Sequence, residues 1–324
     1  MKRDLRQTDQ LLSWAEQGYL TAAQLKAAGE GQQLTADEEQ WHWLLEWLLV
    51  LAGVVLLALG VIFFFAWNWE TLHRFIKFAL AFAALSGFVG MALFAARHSL
   101  LRRSALLGCC LTTGALLALI GQTYQTGADP WQLFAIWALL MLPWALLARS
   151  TACWALCWAV ANLALLRFFS VSMWFGLFAG LKGYQALLII ALCNLAVGLL
   201  FEWRGQRLLD HAGRALPRLA ALGCLGALVV GATISWWESD FVPLLLVYLL
   251  VAAVGIPAYR YWRLDLPILA LLLFSLIAVV SSGLIRLLVD TDEVLLFNVL
   301  GLFIIGASAL VSVWLHRLYR ESQL

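Results

Sequence analysis

The side chains best suited to recognising a ligand lie in one short polar segment, where Gln122, Tyr124 and Gln125 fall between two strongly apolar runs. Amide and phenol groups at the mouth of a membrane helix pair need water, a protein partner or a ligand for their hydrogen bonds. Asp129 precedes Pro130, which is the pattern of an N-cap followed by proline at the first helical position. Helix capping alone therefore explains Asp129, whereas the three side chains before it predict a binding site.

Four more candidate groups are expected on the same side of the membrane. Asn68, Glu70 and Arg74 lie in the turn after the first predicted span, and Lys77 lies one or two turns into the second. An ammonium group in lipid costs a few kcal/mol unless it reaches the interface or is paired. Two interpretations of Lys77 are open here. Its side chain snorkels to the interface, or Glu70 or Asp129 neutralises it across a shallow outward-facing polar pocket.

The composition identifies the class of protein that must position these groups. The chain of 324 residues is 64% hydrophobic and 12% charged, whereas a soluble domain carries about 25% charged residues. Apolar runs long enough to cross a bilayer, about 17–25 residues each, recur from Leu44 to Leu315. These runs lack the alternation of apolar and polar residues that a transmembrane β-barrel needs. The prediction is an all-α, polytopic helical membrane protein with about ten transmembrane helices.

The sequence divides into three predicted parts. Residues 1–40 are polar and contain capping patterns, which predicts a small cytoplasmic helical module too short to fold firmly alone. Residues 41–316 are predicted to form the transmembrane bundle, and residues 317–324 a cytoplasmic tail. The ten predicted spans are 44–66, 75–96, 104–120, 131–148, 152–169, 184–203, 219–236, 241–259, 266–288 and 294–315. Residues 97–103 are predicted as a basic loop. Residues 170–183 are predicted as a glycine-broken apolar segment that is a close-packed loop, or an interfacial or re-entrant segment.

The charge distribution predicts the orientation of the spans. With ten spans and both termini in the cytoplasm, 16 of the 21 lysines and arginines fall on the cytoplasmic side. This asymmetry obeys the positive-inside rule at every turn. The polar segment that contains Gln122 is therefore expected on the outer side of the membrane.

Other residues that commonly do chemistry have a simpler interpretation. The six cysteines all fall in apolar runs, where cysteine packs as a small hydrophobe. The five histidines lie at loops or helix ends without a zinc-binding spacing. The amides of Asn162, Asn194 and Asn298 fall inside predicted spans and are expected to be buried and to hydrogen-bond across helices. No catalytic residue, metal site or cofactor is predicted, and no nucleic acid is expected as a partner.

The polar segment also carries a family resemblance. The stretch Gly121–Asp129 resembles the signature of bacterial predicted membrane proteins grouped as domain of unknown function 2157, and the likeness continues at Trp131, Trp137 and Pro143. The stretch Trp14–Leu20 and the pair Asn68 and Trp69 are similar to the opening region of that family. The resemblance implies a bacterial inner-membrane protein with a cytoplasmic N-terminal helical module, and it implies no activity.

Three functions are compatible with these features. The leading hypothesis is a non-enzymatic membrane protein whose outward-facing polar pocket binds or translocates a small molecule or a lipid. The alternative is a membrane scaffold or assembly subunit that docks a protein partner through residues 1–40. An intramembrane hydrolase or transferase comes third, because it would need Asp129 or Glu70 as an acid or base in a dry pocket.

Overall fold

The computed structural model describes most of the predicted membrane region. It covers residues 73–97, 99–124, 129–175, 183–210, 213–290 and 293–321, with backbone only at 170–175, and the isolated positions 24, 45, 48–50, 52, 53, 55–57, 59, 60, 63 and 67. Residues 54–315 form one unit, and residues 1–53 with 316–324 form another. In chain order, the helices of the described ranges are α1 (Arg74–Phe94), α2 (Leu100–Tyr124), α3 (Pro130–Ala148), α4 (Thr151–Phe175), α5 (Gly183–Leu208), α6 (Ala215–Ile234), α7 (Val242–Pro257), α8 (Leu266–Leu288) and α9 (Glu293–Glu321).

These helices confirm an all-α, polytopic membrane protein. All nine are long and apolar enough to cross a bilayer, and no strand occurs among the described residues. Helix α7 reaches that length together with a 3₁₀ turn at Ser239–Phe241 and a π-helical turn at Ala258–Trp262. The nine helices correspond to the second to tenth predicted spans. The predicted module at residues 1–40 lies outside the described residues except at position 24, and the first predicted span is described only at separate positions.

Several helices extend beyond the predicted spans. Residues 97–103 are predicted as a basic loop, but α2 begins at Leu100, so Arg102 and Arg103 are helical. The Ser99 hydroxyl accepts a hydrogen bond from the Arg102 backbone N–H at 3.2 Å, as an N-cap serine does. Helix α4 continues to Phe175, inside the segment predicted to be glycine-broken. Capping groups and backbone hydrogen bonds, rather than hydrophobicity, therefore decide where these helices begin and end.

The helices pack in two sets. In the first set, α1 lies against α2, α2 against α3, and α3 against α4. In the second set, α6 lies against α5, α7 and α8. The two sets meet where α4 contacts α5 and α6. The polar segment therefore belongs to the first set, because it connects α2 to α3.

Close packing in the first set holds α2 between α1 and α3. Phe88 of α1 lies over Gly108 of α2, and Trp137 of α3 lies over Gly114. The Trp137 indole N–H also donates to the carbonyl oxygen of Cys110 at 2.8 Å. Small residues let membrane helices approach closely where a larger side chain would hold them apart. Both neighbours of α2 are thus held at short range along its length.

Helix α6 is the centre of the second set. Its residue Leu228 is buried in one apolar cluster with Leu244 and Tyr248 of α7 and Leu272 of α8. Leu244 lies directly over Gly231, where an added methyl group would overlap it. In both sets, therefore, neighbouring helices pack closely where a large side chain lies over a glycine.

Candidate functional site

The polar segment begins inside a helix. Helix α2 runs to Tyr124, so Gly121 and Gln122 lie in its last turn and not in the turn predicted after Ile120. One glycine weakens a helix by only about 1 kcal/mol relative to alanine, so Gly121 does not end it. Gln122 and Tyr124 are both exposed at this helix end. Gln125, the third predicted side chain, lies outside the described residues.

Asp129 occupies the predicted capping position without making the predicted contact. Helix α3 begins at Pro130, and Asp129 has the extended backbone of an N-cap, with φ −60° and ψ 144°. The Asp129 carbonyl accepts a hydrogen bond from the Gln132 backbone N–H at 3.0 Å. Its carboxylate, however, makes no capping hydrogen bond. Helix capping therefore accounts for the position of Asp129 but not for its side chain.

Lys77 is buried within the protein. Its exposure is 8%, and it continues a stripe of buried residues on α1 formed by Ala81, Phe88 and Ala92. These positions share one helix face, and in the described structure α1 packs against α2. This burial argues against the interpretation in which Lys77 snorkels along lipid to the interface. Glu70, one of its two predicted partners, lies outside the described residues.

The ends of α1 and α2 are in direct contact beside Lys77. The ring of Phe78, the next residue on α1, lies 6.0 Å from the ring of Tyr124 on α2, measured between centroids. One turn further along, Ala81 of α1 and Leu119 of α2 are buried together. The contact therefore brings the buried cation of α1 and the last turn of α2 to the same end of the bundle.

Thr123 is a candidate that the sequence does not single out. Its Oγ1 is buried and has no hydrogen-bond partner among the described residues. By contrast, the buried hydroxyls of Thr112 and Thr113 on the same helix donate to the carbonyls of Gly108 and Cys109 at 2.8 and 2.7 Å. A buried polar group without a partner costs about 1–3 kcal/mol. Its only sequence signal is its place between Gln122 and Tyr124.

Of the remaining predicted site residues, only Arg74 is described, and it does not join this group. Arg74 is exposed, and its guanidinium lies 5.3 Å from the ring centroid of the neighbouring Phe75. Asn68 and Glu70 lie outside the described residues. The structure therefore places Tyr124 against Phe78, the neighbour of Lys77 in the chain. Gln122 and Thr123 lie in the same last turn of α2, and Asp129 precedes α3.

The expected hydrogen bonds between helices involve two of the three predicted amides. The Asn194 side-chain NH₂ donates to Asn162 Oδ1 at 2.7 Å and to the Ile190 carbonyl at 3.0 Å. The Trp158 indole N–H donates to Asn194 Oδ1 at 2.8 Å. These bonds join α4 to α5 and leave both amides satisfied, as packing residues are. Asn298 is exposed on α9, so its predicted burial is wrong.

Two ion clusters lie at the helix ends opposite to the end where α1 meets α2. Neither cluster is predicted from the sequence. In the Asp210 cluster (Arg103, Arg149 and Asp210), the carboxylate lies 2.9 Å from Arg103 Nη2 and 3.1 Å from Arg149 Nε. Arg149 ends α3 in the left-handed region, with φ 46°. Its carbonyl accepts a hydrogen bond from the Asp210 backbone N–H at 3.1 Å. This cluster ties the start of α2, the end of α3 and the end of α5 together.

The second cluster joins the α5–α6 and α7–α8 connections. The Asp265 cluster comprises Glu202, Arg214, Arg218, Arg263 and Asp265. Arg214 Nη2 lies 2.6 Å from one oxygen of Glu202, and Arg263 Nη1 lies 2.6 Å from the other. The Asp265 carboxylate is fully buried, 2.9 Å from Arg214 Nε and 3.2 Å from Arg218 Nε. Asp265 also caps α8 by accepting from the Ile268 backbone N–H at 3.2 Å.

The described residues contain no candidate metal-binding site. Among them, no three histidine, cysteine or acidic side chains are placed to hold an ion together. The cysteines are all free thiols, and only Cys193 is exposed. The α1–α2 end is therefore assessed by its hydrogen-bonding groups and charge alone.

Comparison with known proteins supports the family resemblance. The model of a family described as "Predicted membrane protein (DUF2157)" matches residues 12–154. The matched stretch contains the polar segment and the opening region on which the resemblance rests, so the resemblance is confirmed. No curated protein matches the chain, and no solved structure matches it. The shared description is that of a membrane protein, in agreement with the helices.

Proposed function

We propose that this multi-pass membrane protein binds a small molecule or a lipid at the end where α1 meets α2. The observation that carries the proposal is the burial of a cation, Lys77, next to the residue of α1 that contacts the last turn of α2. That last turn contains Thr123, whose buried hydroxyl has no hydrogen-bond partner among the described residues. Ionisable groups inside membrane domains are costly, and they commonly mark the sites through which such proteins act. The contact of Phe78 with Tyr124 joins the two helix segments that carry these groups.

The chemistry of these residues favours a ligand with acceptor oxygens. The Lys77 ammonium donates hydrogen bonds and carries a positive charge, and the Thr123 hydroxyl donates one. A carboxylate or phosphate group carries the charge opposite to that of Lys77 and accepts the hydrogen bond of the Thr123 hydroxyl. Gln122, Tyr124 and the predicted Gln125 provide further polar contacts at the accessible helix end. In this proposal Asp129, Asn68, Glu70 and Arg74 line the rim of the site.

The proposed site faces the outside of a bacterial inner membrane, and both termini lie in the cytoplasm. The positive-inside rule supports this orientation. All the arginines of the Asp210 and Asp265 clusters lie at the helix ends opposite to the proposed site. Translocation of the ligand, and not binding alone, would require a path between the two ends.

Mass measurement of bound molecules tests the proposal. The full-length protein is purified in a mild detergent with native lipids, and its retained molecules are identified by native and small-molecule mass spectrometry. Lys77→Met and Thr123→Val are each expected to lose a retained anionic molecule. Thr112→Val is the matched control, because its hydroxyl is buried on the same helix but already bonded. Retention of the same molecules by all four proteins would overturn the proposal.

Deletion of residues 1–40 separates this function from the alternative scaffold function. If the membrane site binds the ligand, the truncated protein retains the molecule that Lys77→Met loses. If the protein acts as a scaffold, the truncated protein loses a co-purifying protein, and the Lys77→Met protein keeps it. Loss of a co-purifying protein on truncation, with no small molecule or lipid bound to the unmodified protein, would favour the scaffold function.

A further inference from the structure

The C-terminal end of α9 holds a buried residue on a helix that is otherwise accessible. Leu318 is 2% exposed and is the one buried residue of α9. The apolar stretch before it contains no buried residue, and no other helix of the described ranges packs extensively against α9. A fully buried side chain typically touches roughly 6–12 residues. Another segment of the protein therefore covers this end of α9.

The N-terminal residues are the candidate for that segment. Residues 316–324 form one compact unit with residues 1–53, whereas α9 up to Leu315 belongs to the unit of residues 54–315. The boundary between the two units coincides with the end of the tenth predicted span. Leu318 therefore lies in the part of α9 that groups with the N-terminal residues and not with the other described helices.

The charges of the two segments are opposite. Arg317 and Arg320 are both exposed, and they lie on either side of Leu318 in the chain. By contrast, residues 27–53 contain no lysine or arginine. The acidic residues of that stretch are Glu30, Asp37, Glu38, Glu39 and Glu46. Opposite charges on two segments of one unit favour their association.

The acids and the arginines are also expected at the same depth. The tenth predicted span ends at Leu315, within two turns of both arginines, and the first begins at Leu44, two turns after Asp37. In a chain of ten spans, the first span begins and the last span ends on the same side of the membrane. Both charged segments therefore lie just outside the hydrocarbon region on one side.

We propose that the C-terminal end of α9 docks the acidic segment 37–46 of the same chain. The two arginines pair with the three consecutive acids of this segment, and the large apolar surface of Trp41 or Trp43 covers Leu318. Exposed ion pairs are weak and are screened by salt, so the contact is reversible. When closed, it holds the predicted module at residues 1–40 beside the last helix. It does not depend on the ligand site at the α1–α2 end.

Zero-length carbodiimide cross-linking of the purified full-length protein tests the contact. Arg320→Lys keeps the positive charge and supplies an amine, which the reagent joins only to a carboxylate that touches it. Peptide mass spectrometry is expected to find this amine linked to an acid of the segment Asp37–Glu39. Arg207→Lys, at an exposed position of α5, is the matched control and is not expected to link to that segment. No linkage from position 320, or equal linkage from both positions, would overturn the proposal.

Isotope mixing identifies the chain that supplies the acids. The Arg320→Lys protein is prepared with ¹⁴N and with ¹⁵N, and the two preparations are mixed before cross-linking. The proposal predicts linked peptides that carry a single isotope. Linked peptides that combine the two isotopes in the statistical proportion would show that a second copy covers the end of α9, and they would overturn the proposal.

Charge reversal tests whether ion pairs hold the segment. Reversal of both arginines (Arg317→Glu with Arg320→Glu) is expected to speed cleavage of the N-terminal segment by thermolysin about fivefold, because two exposed pairs contribute about 1 kcal/mol. Adding Glu38→Arg and Glu39→Arg to that variant is expected to restore slow cleavage.

A second double reversal is the matched control for this measurement. Arg204→Glu with Arg207→Glu changes the charge equally at exposed positions of α5 and is expected to leave the cleavage rate unchanged. An equal acceleration in this control, or no restoration by the compensating reversal, would overturn the proposal. None of these changes is expected to release the molecule that depends on Lys77, so the docking contact and the ligand site fail separately.

Discussion

Two threonines of α2 differ in what their buried hydroxyls bind. The Thr112 hydroxyl is bonded to a backbone carbonyl, whereas the Thr123 hydroxyl has no partner in the described part of the chain. Thr123→Val keeps the shape and removes the unsatisfied group, so it is expected to raise the stability of ligand-free protein by about 1 kcal/mol. Thermal unfolding in detergent measures the change. Thr112→Val is the control and should not raise the thermal stability of the protein. An equal rise in both variants would show that the buried Thr123 hydroxyl is no less satisfied than that of Thr112.

Gly223 of α6 is required by the amide network. A methyl group there would overlap the Asn194 side chain, which accepts from Trp158 at 2.8 Å. Gly223→Ala is therefore expected to lower the free energy of unfolding by about 2–3 kcal/mol, through overpacking and a lost hydrogen bond. Gly226→Ala on the same helix meets nothing within 4 Å and should be neutral or stabilising by up to about 1 kcal/mol. Denaturant titration compares them, and similar losses in both would contradict this explanation.

At the scale of the helix, the end of α3 combines a strained backbone with an ion pair. Arg149 has φ 46°, a conformation that costs a residue with a side chain about 1–2 kcal/mol but costs glycine little. Arg149→Gly and Arg149→Ala both lose the contact with Asp210. The glycine variant is expected to be more stable than the alanine variant by about 1 kcal/mol, as measured by thermal unfolding. Equal stabilities would mean that the unmodified turn stores no such strain.

Hydrophobicity predicted the existence of these helices but not their ends. The apolar runs place every described helix, because a bilayer needs about 20 apolar residues per crossing. The start of α2 at Leu100 depends on one serine hydroxyl, and its end at Tyr124 includes polar residues that hydropathy assigns to a turn. Helix ends are decided by hydrogen bonds of single residues, which a window of mean hydropathy averages away.

At the scale of the molecule, Asp265 joins the start of α6 to the start of α8 through one carboxylate. It contacts Arg214 and Arg218 and caps α8 at the Ile268 N–H, with its side chain fully buried. Asp265→Asn leaves two guanidinium groups without this buried counter-charge, so it is expected to cost about 3 kcal/mol of stability. Glu238→Gln, at an exposed position, should change stability by no more than about 0.5 kcal/mol. Chemical unfolding of the two variants tests this, and equal effects would contradict a structural role for the cluster.

The sequence could not reveal which charges meet. Arg103 and Asp210 are separated by 107 residues, and Arg218 and Asp265 by 47, so only the fold brings each pair together. The positive-inside rule counts these arginines without assigning partners. Lys77 was identifiable as a cation within a span, but its burial depends on the face that α1 turns toward α2. Thr123 carried no chemical signal apart from its neighbours.

Chemical labelling from one side of the membrane tests the central claim, that the α1–α2 site faces outward. In a Cys193→Ala background, which removes the exposed thiol, Gln122→Cys and Gln206→Cys place single accessible thiols at opposite helix ends. Intact spheroplasts are treated with a membrane-impermeant maleimide before and after permeabilisation. The account predicts that Gln122→Cys is labelled in intact spheroplasts and Gln206→Cys only after permeabilisation. The reverse pattern would contradict the orientation and, with it, the outward-facing site.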